Sequence, residues 1–401
     1  MRQTNSVLGS YGTTIFEVMS RLAKTHDAIN LGQGFPDTTL PESVIAKAAE
    51  GLTAIPNQYP PMLGLPELRQ AVARHDRRFQ GIEADWQTQV MVTTGATEAL
   101  AAALFALIEP GDEVVLIEPL YDSYMPIVRR AGGLPKLVRV SPPNWTLDPV
   151  ELAAAFSART KLILINTPQN PAAKVYSEAE LSLIADLVKK YDCFALCDEV
   201  YEHIVFAPER HVSLMTLPGM ADRVIRIGSA GKTFSLTGWK VGYITASAEI
   251  VERIARAHQF LVFTTAPNLQ YAVAHGLDLG DEYYDGLLAE MRIKRDRFAS
   301  GLARAGFEAL PCGGTYFINV DIRSIGFDGN DEAFCRYITE TVGVAAIPVS
   351  AFYADPATAP QHLARFCFAK KDAVLDSAID RLAGHFQAKA PAEKSAARAI
   401  A

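Results

Sequence analysis

Lys161-Leu162-Ile163-Leu164-Ile165-Asn166-Thr167-Pro168-Gln169-Asn170-Pro171 is a short apolar run that breaks abruptly into amides and prolines. Such a run, bounded by turn residues, reads as a buried strand that ends in a polar loop. The same plan recurs in Val114-Val115-Leu116-Ile117, in Phe194-Ala195-Leu196-Cys197 before Asp198-Glu199-Val200-Tyr201, and in Val224-Ile225-Arg226-Ile227 before the Gly228–Lys240 stretch. From about Pro41 to His275 these runs alternate with helical patterns, which predicts an α/β domain with a mostly parallel sheet. Ligands of open α/β sheets bind outside the carboxyl ends of the strands, so three polar loops converge on one edge.

Beyond this region, Glu282 to Ala305 carries a long charged amphipathic pattern with Arg292, Lys294, Arg295 and Arg297. It predicts a helix leading into a second domain, its charges forming a solvated face. Strands near Thr315-Tyr316-Phe317-Ile318 and Arg365-Phe366-Cys367-Phe368 alternate with helices and give a smaller α+β domain. The expected division is a large domain over 41–275, a small domain from 1–40 with 276–390, and a flexible tail over 391–401, frayed or disordered from about Gln387 onward. No internal repeat is found.

At 401 residues the chain is too long for one simple core, which agrees with two domains. Apolar residues at 49% and charged residues at 21% are ordinary for a globular protein. A formal charge of −7 without a basic run argues against a nucleic-acid surface. Five scattered cysteines, Cys193, Cys197, Cys312, Cys335 and Cys367, lack paired ligand spacing. They read as reduced thiols of a cytoplasmic protein, with no metal site. The start opens no signal-like apolar core, and the longest apolar run, Ala99 to Ile108, falls short of the ~20 residues that span a bilayer. The expectation is a soluble protein that is not exported and has no membrane partner.

Lys232 carries the most chemical information. Glycines flank it on both sides, Ser229 stands three residues before it and Lys240 eight after it. An amine that forms a Schiff base with a phosphorylated aldehyde such as pyridoxal phosphate needs hydroxyls, backbone N–H groups and a fixed cation nearby for the phosphate. Alone, the stretch reads more readily as a Gly- and Ser-rich turn with solvated lysines. Thr94-Gly95-Ala96-Thr97-Glu98, before the apolar helix, is either a phosphate seat at a helix start or a plain cap by Thr97. Asp198 is a candidate partner for a pyridinium nitrogen, or a helix cap. Tyr201 and Asn170 can donate to the cofactor's phenolate oxygen, and Tyr121 can stack on its ring or fill the core.

Together, Asn30-Leu31-Gly32-Gln33-Gly34-Phe35-Pro36-Asp37, Asn57-Gln58-Tyr59, Asn166 to Pro171, Asp198-Glu199-Val200-Tyr201-Glu202, the Lys232 block and Arg365-Phe366-Cys367-Phe368 resemble the class I and II aminotransferases of fold type I. The nearest branch is that of the kynurenine, glutamine and methionine aminotransferases, and the resemblance runs from about Phe16 to Leu382. It implies an α/β fold with a mostly parallel, seven-stranded type of sheet between helices. It also implies pyridoxal 5'-phosphate as cofactor and a ping-pong aldimine mechanism from an aromatic, sulfur-containing or glutamine-like L-amino acid to a 2-oxo acid. By that resemblance Lys232 holds the cofactor and moves the α-proton, while Gly95, Ala96, Thr97, Ser229 and Lys240 bind its phosphate. Asn170, Asp198 and Tyr201 hold the ring under Tyr121. Arg365, with Gly34 and Asn170, grips the substrate carboxylate, and Tyr59 reaches the phosphate of the neighbouring subunit in a homodimer.

The chain departs from the commonest family pattern at Gly231, Lys240, Ala173, Thr97 and Thr264-Thr265. The last two changes bear on the side-chain pocket, for which Phe16, Thr264, Thr265, Tyr316 and Phe352 are candidate walls. Three alternatives stay open: a cysteine-conjugate β-lyase, a succinyldiaminopimelate aminotransferase, and a cofactor-binding regulator without turnover.

Overall fold

The computed structural model describes residues 5–37 and 40–387. The expected flexible tail, 391–401, lies outside the described residues, and Gln387 closes a regular helix, Asp372–Gln387. The chain divides into two units. Unit 1 takes the described residues of Met1–Gly12, Asp37–Ala289 and Cys312–Thr315; unit 2 takes those of Thr13–Pro36, Glu290–Pro311 and Tyr316–Ala401. The division falls inside the 24-residue helix Asp281–Arg304 rather than near His275.

Strand β1 (Ile29–Asn30) belongs to unit 2, and the next eight strands build one sheet in unit 1. These are β2 (Val90–Thr93), β3 (Glu113–Glu118), β4 (Leu134–Ser141), β5 (Thr146–Leu147), β6 (Thr160–Asn166), β7 (Phe194–Asp198), β8 (Val224–Ser229) and β9 (Gly242–Thr245), in the order β2-β9-β8-β7-β6-β3-β4-β5. Neighbours from β4 through β3, β6 and β7 to β8 run parallel, whereas β9 runs against both β8 and β2. The sheet has eight strands, not the seven expected, because the two residues of β5 pair antiparallel with the outer end of β4. A two-residue edge strand leaves no periodic signal in sequence. The strands β3, β7 and β8 are buried almost throughout, as parallel strands covered on both faces must be.

In unit 2, β10 (Glu308–Ala309), β11 (Phe317–Asp321), β13 (Ile347–Pro348) and β14 (Leu363–Cys367) form an antiparallel sheet in the order β10-β11-β14-β13, while β1 pairs with β12 (Val344–Ala345). The long charged helix does not keep all its charges in water. Arg292 and Arg297 are exposed, but Lys294 is buried, donates to the Lys370 carbonyl at 2.5 Å and pairs with Glu290 and Asp372. A periodicity argument sorts whole residues to one face, whereas a lysine stem packs inward and carries its ammonium to a carbonyl.

Among the described residues no helix is long and apolar enough to cross a membrane. All five cysteines are free thiols; burial pushes Cys193 up to about 11 and raises Cys197 and Cys335 as well, which leaves those three inert at neutral pH.

One cross-strand contact fixes β8 against β9. Gly228 pairs with Tyr243, whose fully buried ring lies over the glycine, so a Cβ there would sit 2.1 Å from a ring carbon. Gly228→Ala is therefore expected to destabilise unit 1 by about 1–3 kcal/mol. A lower denaturant midpoint at unchanged slope in a urea titration checks this; an unchanged midpoint would mean that the ring has room to move.

Candidate active site

The carboxyl ends of β6, β7 and β8 carry Asn166, Asp198 and Ser229, and the register places Asn166 beside Asp198 and Asp198 beside Ile227. These ends border a cavity of about 210 Å³ in unit 1 that is lined by Gly95, Ala96, Thr97, Tyr121, Asn170, Asp198, Tyr201, Ser229, Lys232 and Lys240 among others. Every cofactor-binding residue expected from sequence except Tyr59 is thus brought to one cavity.

Lys232 lies in a single helical turn, Ala230–Thr233, that follows β8 directly. Phe234 is fully buried in the same apolar cluster as Val44, Val72, Val92 and Tyr243, and burying a phenylalanine contributes about 1.5–3 kcal/mol, enough to pin the turn. Lys232 Nζ stands 5.5 Å from the centre of the buried Tyr201 ring. A Cβ on Gly231 would come within 3.0 Å of Thr237 Cα, so the glycine lets the turn pack tightly against that backbone.

The opposite wall is the start of the helix Ala96–Leu107. Its cap is Gly95 at φ +78°, a left-handed conformation that favours glycine, and no side chain caps the first turn. Thr97 lies inside the helix, so its reading as a cap is excluded. The first N–H groups and the positive helix end face the cavity together with Lys240, whose Nζ would lie 3.5 Å from a Cβ on Gly95. Gly242 of β9 backs this turn so closely that a Cβ there would meet the Gly95 carbonyl carbon at 2.8 Å.

Asp198 is buried at the end of β7 and caps no helix. Tyr124 Oη donates to its Oδ2 at 2.6 Å, and the Val200 N–H reaches Oδ1 at 3.4 Å. Burial raises the Asp198 pKa, against these two hydrogen bonds and the charge of Lys232, which lower it. Burial and the neighbouring Asp198 also keep Tyr124 protonated, its pKa far above the ordinary range. Tyr124 escaped the sequence reading; its only signal is its place three residues after Tyr121, whose ring meets it edge-on at 5.8 Å. Asn166 Nδ2 donates to the Asp198 carbonyl at 2.9 Å and its Oδ1 accepts from the Asn170 N–H at 2.7 Å, so one amide sets both strand ends. Ala173 holds φ +58°, a left-handed conformation that favours glycine.

The remaining candidates lie elsewhere. Tyr59 is 84% exposed, edge-on to Phe263 at 5.5 Å. Arg365 belongs to unit 2, where it is 1% exposed, stacks 3.9 Å over the Phe317 ring between Phe16 and Phe352, and donates to the Gly32 carbonyl at 2.8 Å. Gly34 accepts from Tyr316 Oη at 2.7 Å in the same unit. Of the candidate pocket walls, Phe16, Tyr316 and Phe352 sit in this unit, Thr265 is buried with its Oγ1 2.9 Å from Thr94 Oγ1, and Thr264 is half-buried.

Behind Asp198 lies an ionic cluster that sequence did not suggest. Arg226 of β8 is fully buried and engages Asp76, Glu199 and Glu202. Beside it, His75, Glu202 and His203 place one ligand atom each within 4.8 Å of one another, whereas the sequence reading expected no metal site. Cysteine spacing could not reveal this group, because His75 and His203 are 128 residues apart.

The family model for Aminotransferase class I and II matches residues 26–382. The chain is 42% identical to the methionine aminotransferase of Escherichia coli over 94% of its own length and 97% of that protein's. It is 38% identical to human kynurenine–oxoglutarate transaminase 3, over 90% and 85%. The solved N-succinyldiaminopimelate aminotransferase of Mycobacterium tuberculosis superposes with a TM-score of 0.91 at 44% identity, over 95% of this chain and all of that one. The chain belongs to the class I and II aminotransferases. It is a fold-type-I enzyme that transfers amino groups, and its family depends on pyridoxal phosphate.

The cavity of this aminotransferase suits such a group: an amine at Lys232, a buried carboxylate at Asp198 and an uncapped helix start with Ser229 and Lys240 match an aldehyde, a pyridinium nitrogen and a phosphate. Because the folded pKa of Asp198 is raised above its ordinary 3.8, its burial costs stability once it ionises. Without cofactor, the wild type should lose stability relative to Asp198→Asn as pH rises from the ordinary aspartate range through the raised folded value, and cofactor should reverse the order. Denaturation of both proteins across pH checks this; a pH-independent difference would contradict it.

Proposed function

We propose that this aminotransferase binds pyridoxal 5'-phosphate in the unit 1 cavity and takes its amino group from an aromatic, sulfur-containing or glutamine-like L-amino acid, passing it to a 2-oxo acid. The observation that carries this reading is the convergence of Lys232, Asp198 and the Gly95–Thr97 turn on one cavity. When bound, the cofactor supplies the carbonyl that accepts the amino group and a ring that spreads the charge left on the substrate α-carbon.

The chain's residues then have distinct tasks. Lys232 Nζ would hold the cofactor's carbonyl carbon and, as a free amine, would take and return the substrate α-proton. Asp198 keeps a proton on the pyridine nitrogen, with Tyr124 and the Val200 N–H holding the carboxylate in place. Tyr201 and Asn170 donate to the ring oxygen and Tyr121 covers a ring face. The first N–H groups of the Gly95, Ala96 and Thr97 turn, with Ser229 and Lys240, take the phosphate charge. Arg365 grips the substrate carboxylate through its planar fork, helped by the Gly34 backbone.

The enzyme works as a homodimer in which Tyr59 of each copy serves the phosphate of the other. Support comes from the exposure of Tyr59 beside a run of exposed apolar side chains, Phe260 to Phe263. Free, mostly buried thiols suit a cytoplasmic enzyme. Relatives named for methionine and kynurenine support sulfur-containing and aromatic donors; the N-succinyldiaminopimelate relative supports a donor with a distal carboxylate.

Lys232→Ala should lower turnover by more than about 10³-fold, and borohydride should no longer fix the cofactor to the protein. Arg365→Lys should raise the donor KM at least about 10-fold while changing kcat less. Peptide mapping of borohydride-treated wild type checks the first: a tag on another lysine would overturn the assignment. A donor KM left unchanged in Arg365→Lys would remove Arg365 from the substrate site.

A further inference from the structure

The His75, Glu202 and His203 cluster takes no part in the amino-transfer reading and lies in unit 1 on two elements, the helix Pro66–Gln80 and the turn after Tyr201. We propose that these three side chains bind one divalent transition-metal ion of the zinc type, which ties that helix to the turn carrying Tyr201.

The donor set is right in kind and spacing. Two imidazoles and a carboxylate, with water in a fourth position, are ordinary zinc ligands at about 2.0–2.2 Å, which sets tetrahedral ligand separations near 3.3 Å. His75 Nε2 and His203 Nε2 stand 2.8 Å apart, and all three ligand atoms lie within 4.8 Å. Zinc binding would open the imidazole pair by about half an ångström and draw the carboxylate in. The hydrogen bonds from Arg226 Nη2 and Gln80 Nε2 both fall on Glu202 Oε2, so the ion takes Oε1.

The protons and charges also balance. At 2.8 Å the two Nε2 atoms share one proton, which must leave for a metal to enter. The ring that carries it shifts it to Nδ1, so both imidazoles stay neutral and no proton is lost. His75 Nδ1 is buried with no hydrogen-bond partner and lies 3.8 Å from Asp76 Oδ1. A carboxylate facing the far nitrogen is the usual support of a metal-bound imidazole. Arg226 offers one positive charge to Asp76, Glu199 and Glu202, which leaves the cluster at a formal −2 with its imidazoles neutral. A divalent ion brings that buried charge to zero, and half-buried His203 gives it a way in.

The test uses the cofactor-loaded enzyme, stripped with a chelator and dialysed against micromolar zinc chloride alone. Elemental analysis should find one zinc per chain, with a raised thermal midpoint. His75→Gln and His203→Gln should each weaken uptake at least about 100-fold and abolish the midpoint shift. His211→Gln, on the far side of Glu199, should bind as the wild type does. His203 is the less buried ligand, so its variant carries the test if His75→Gln does not fold. No saturable uptake by the wild type, or equal uptake by a folded His203→Gln, would overturn the proposal; equal uptake would place the metal on the cofactor or the cysteines.

Discussion

A carboxylate at the end of a central, buried strand is the constraint on which the rest of this enzyme turns. Asp198 is 5% exposed, and a carboxylate so placed is costly unless hydrogen bonds and a cation compensate it. Tyr124 and the Val200 N–H supply the hydrogen bonds; Lys232, one strand over and beyond Ser229, supplies part of the positive charge. The residual cost is what a protonated pyridine ring would relieve. Binding energy for the cofactor is in this sense stored in the fold, as a buried acid waiting for a cation.

Parallel strands make that storage possible. Their amide ladders keep β6, β7 and β8 in fixed register, so Asn166, Asp198 and Ser229 arrive at one edge without loop flexibility. Glycines then allow close approach: Gly242 behind the Gly95 turn, Gly228 under Tyr243, and Gly231 against Thr237. Unit 2 solves a different problem, holding Arg365 rigid among Phe16, Phe317 and Phe352 with one N–H on the Gly32 carbonyl. A guanidinium held in this way loses little entropy on meeting a carboxylate.

Much of this was legible in sequence, for physical reasons. Runs such as Leu162–Ile165 and Phe194–Cys197 cannot face water on either side, so strands and their polar ends declared themselves. Lys232, Asp198, Asn170 and the Gly95 turn stood out because their residue types suit chemistry more than packing. Tyr124 did not, since a tyrosine in a short helix reads as core until its hydroxyl is seen on Asp198. Strand β5 was too short to show a period, and Lys294 was sorted outward although its ammonium finds a buried carbonyl. The Arg226 cluster was invisible because Asp76, Glu199 and Glu202 meet only through the packing of the helix Pro66–Gln80 on the sheet.

The hold of Asp198 on a proton of the cofactor ring is open to direct spectroscopic measurement. The wild-type enzyme, loaded with pyridoxal phosphate labelled with nitrogen-15, would be followed by NMR across neutral pH. The ring nitrogen should carry its proton throughout the neutral range and lose it in Asp198→Asn. A ring nitrogen already unprotonated in the wild type at neutral pH would deny Asp198 that role.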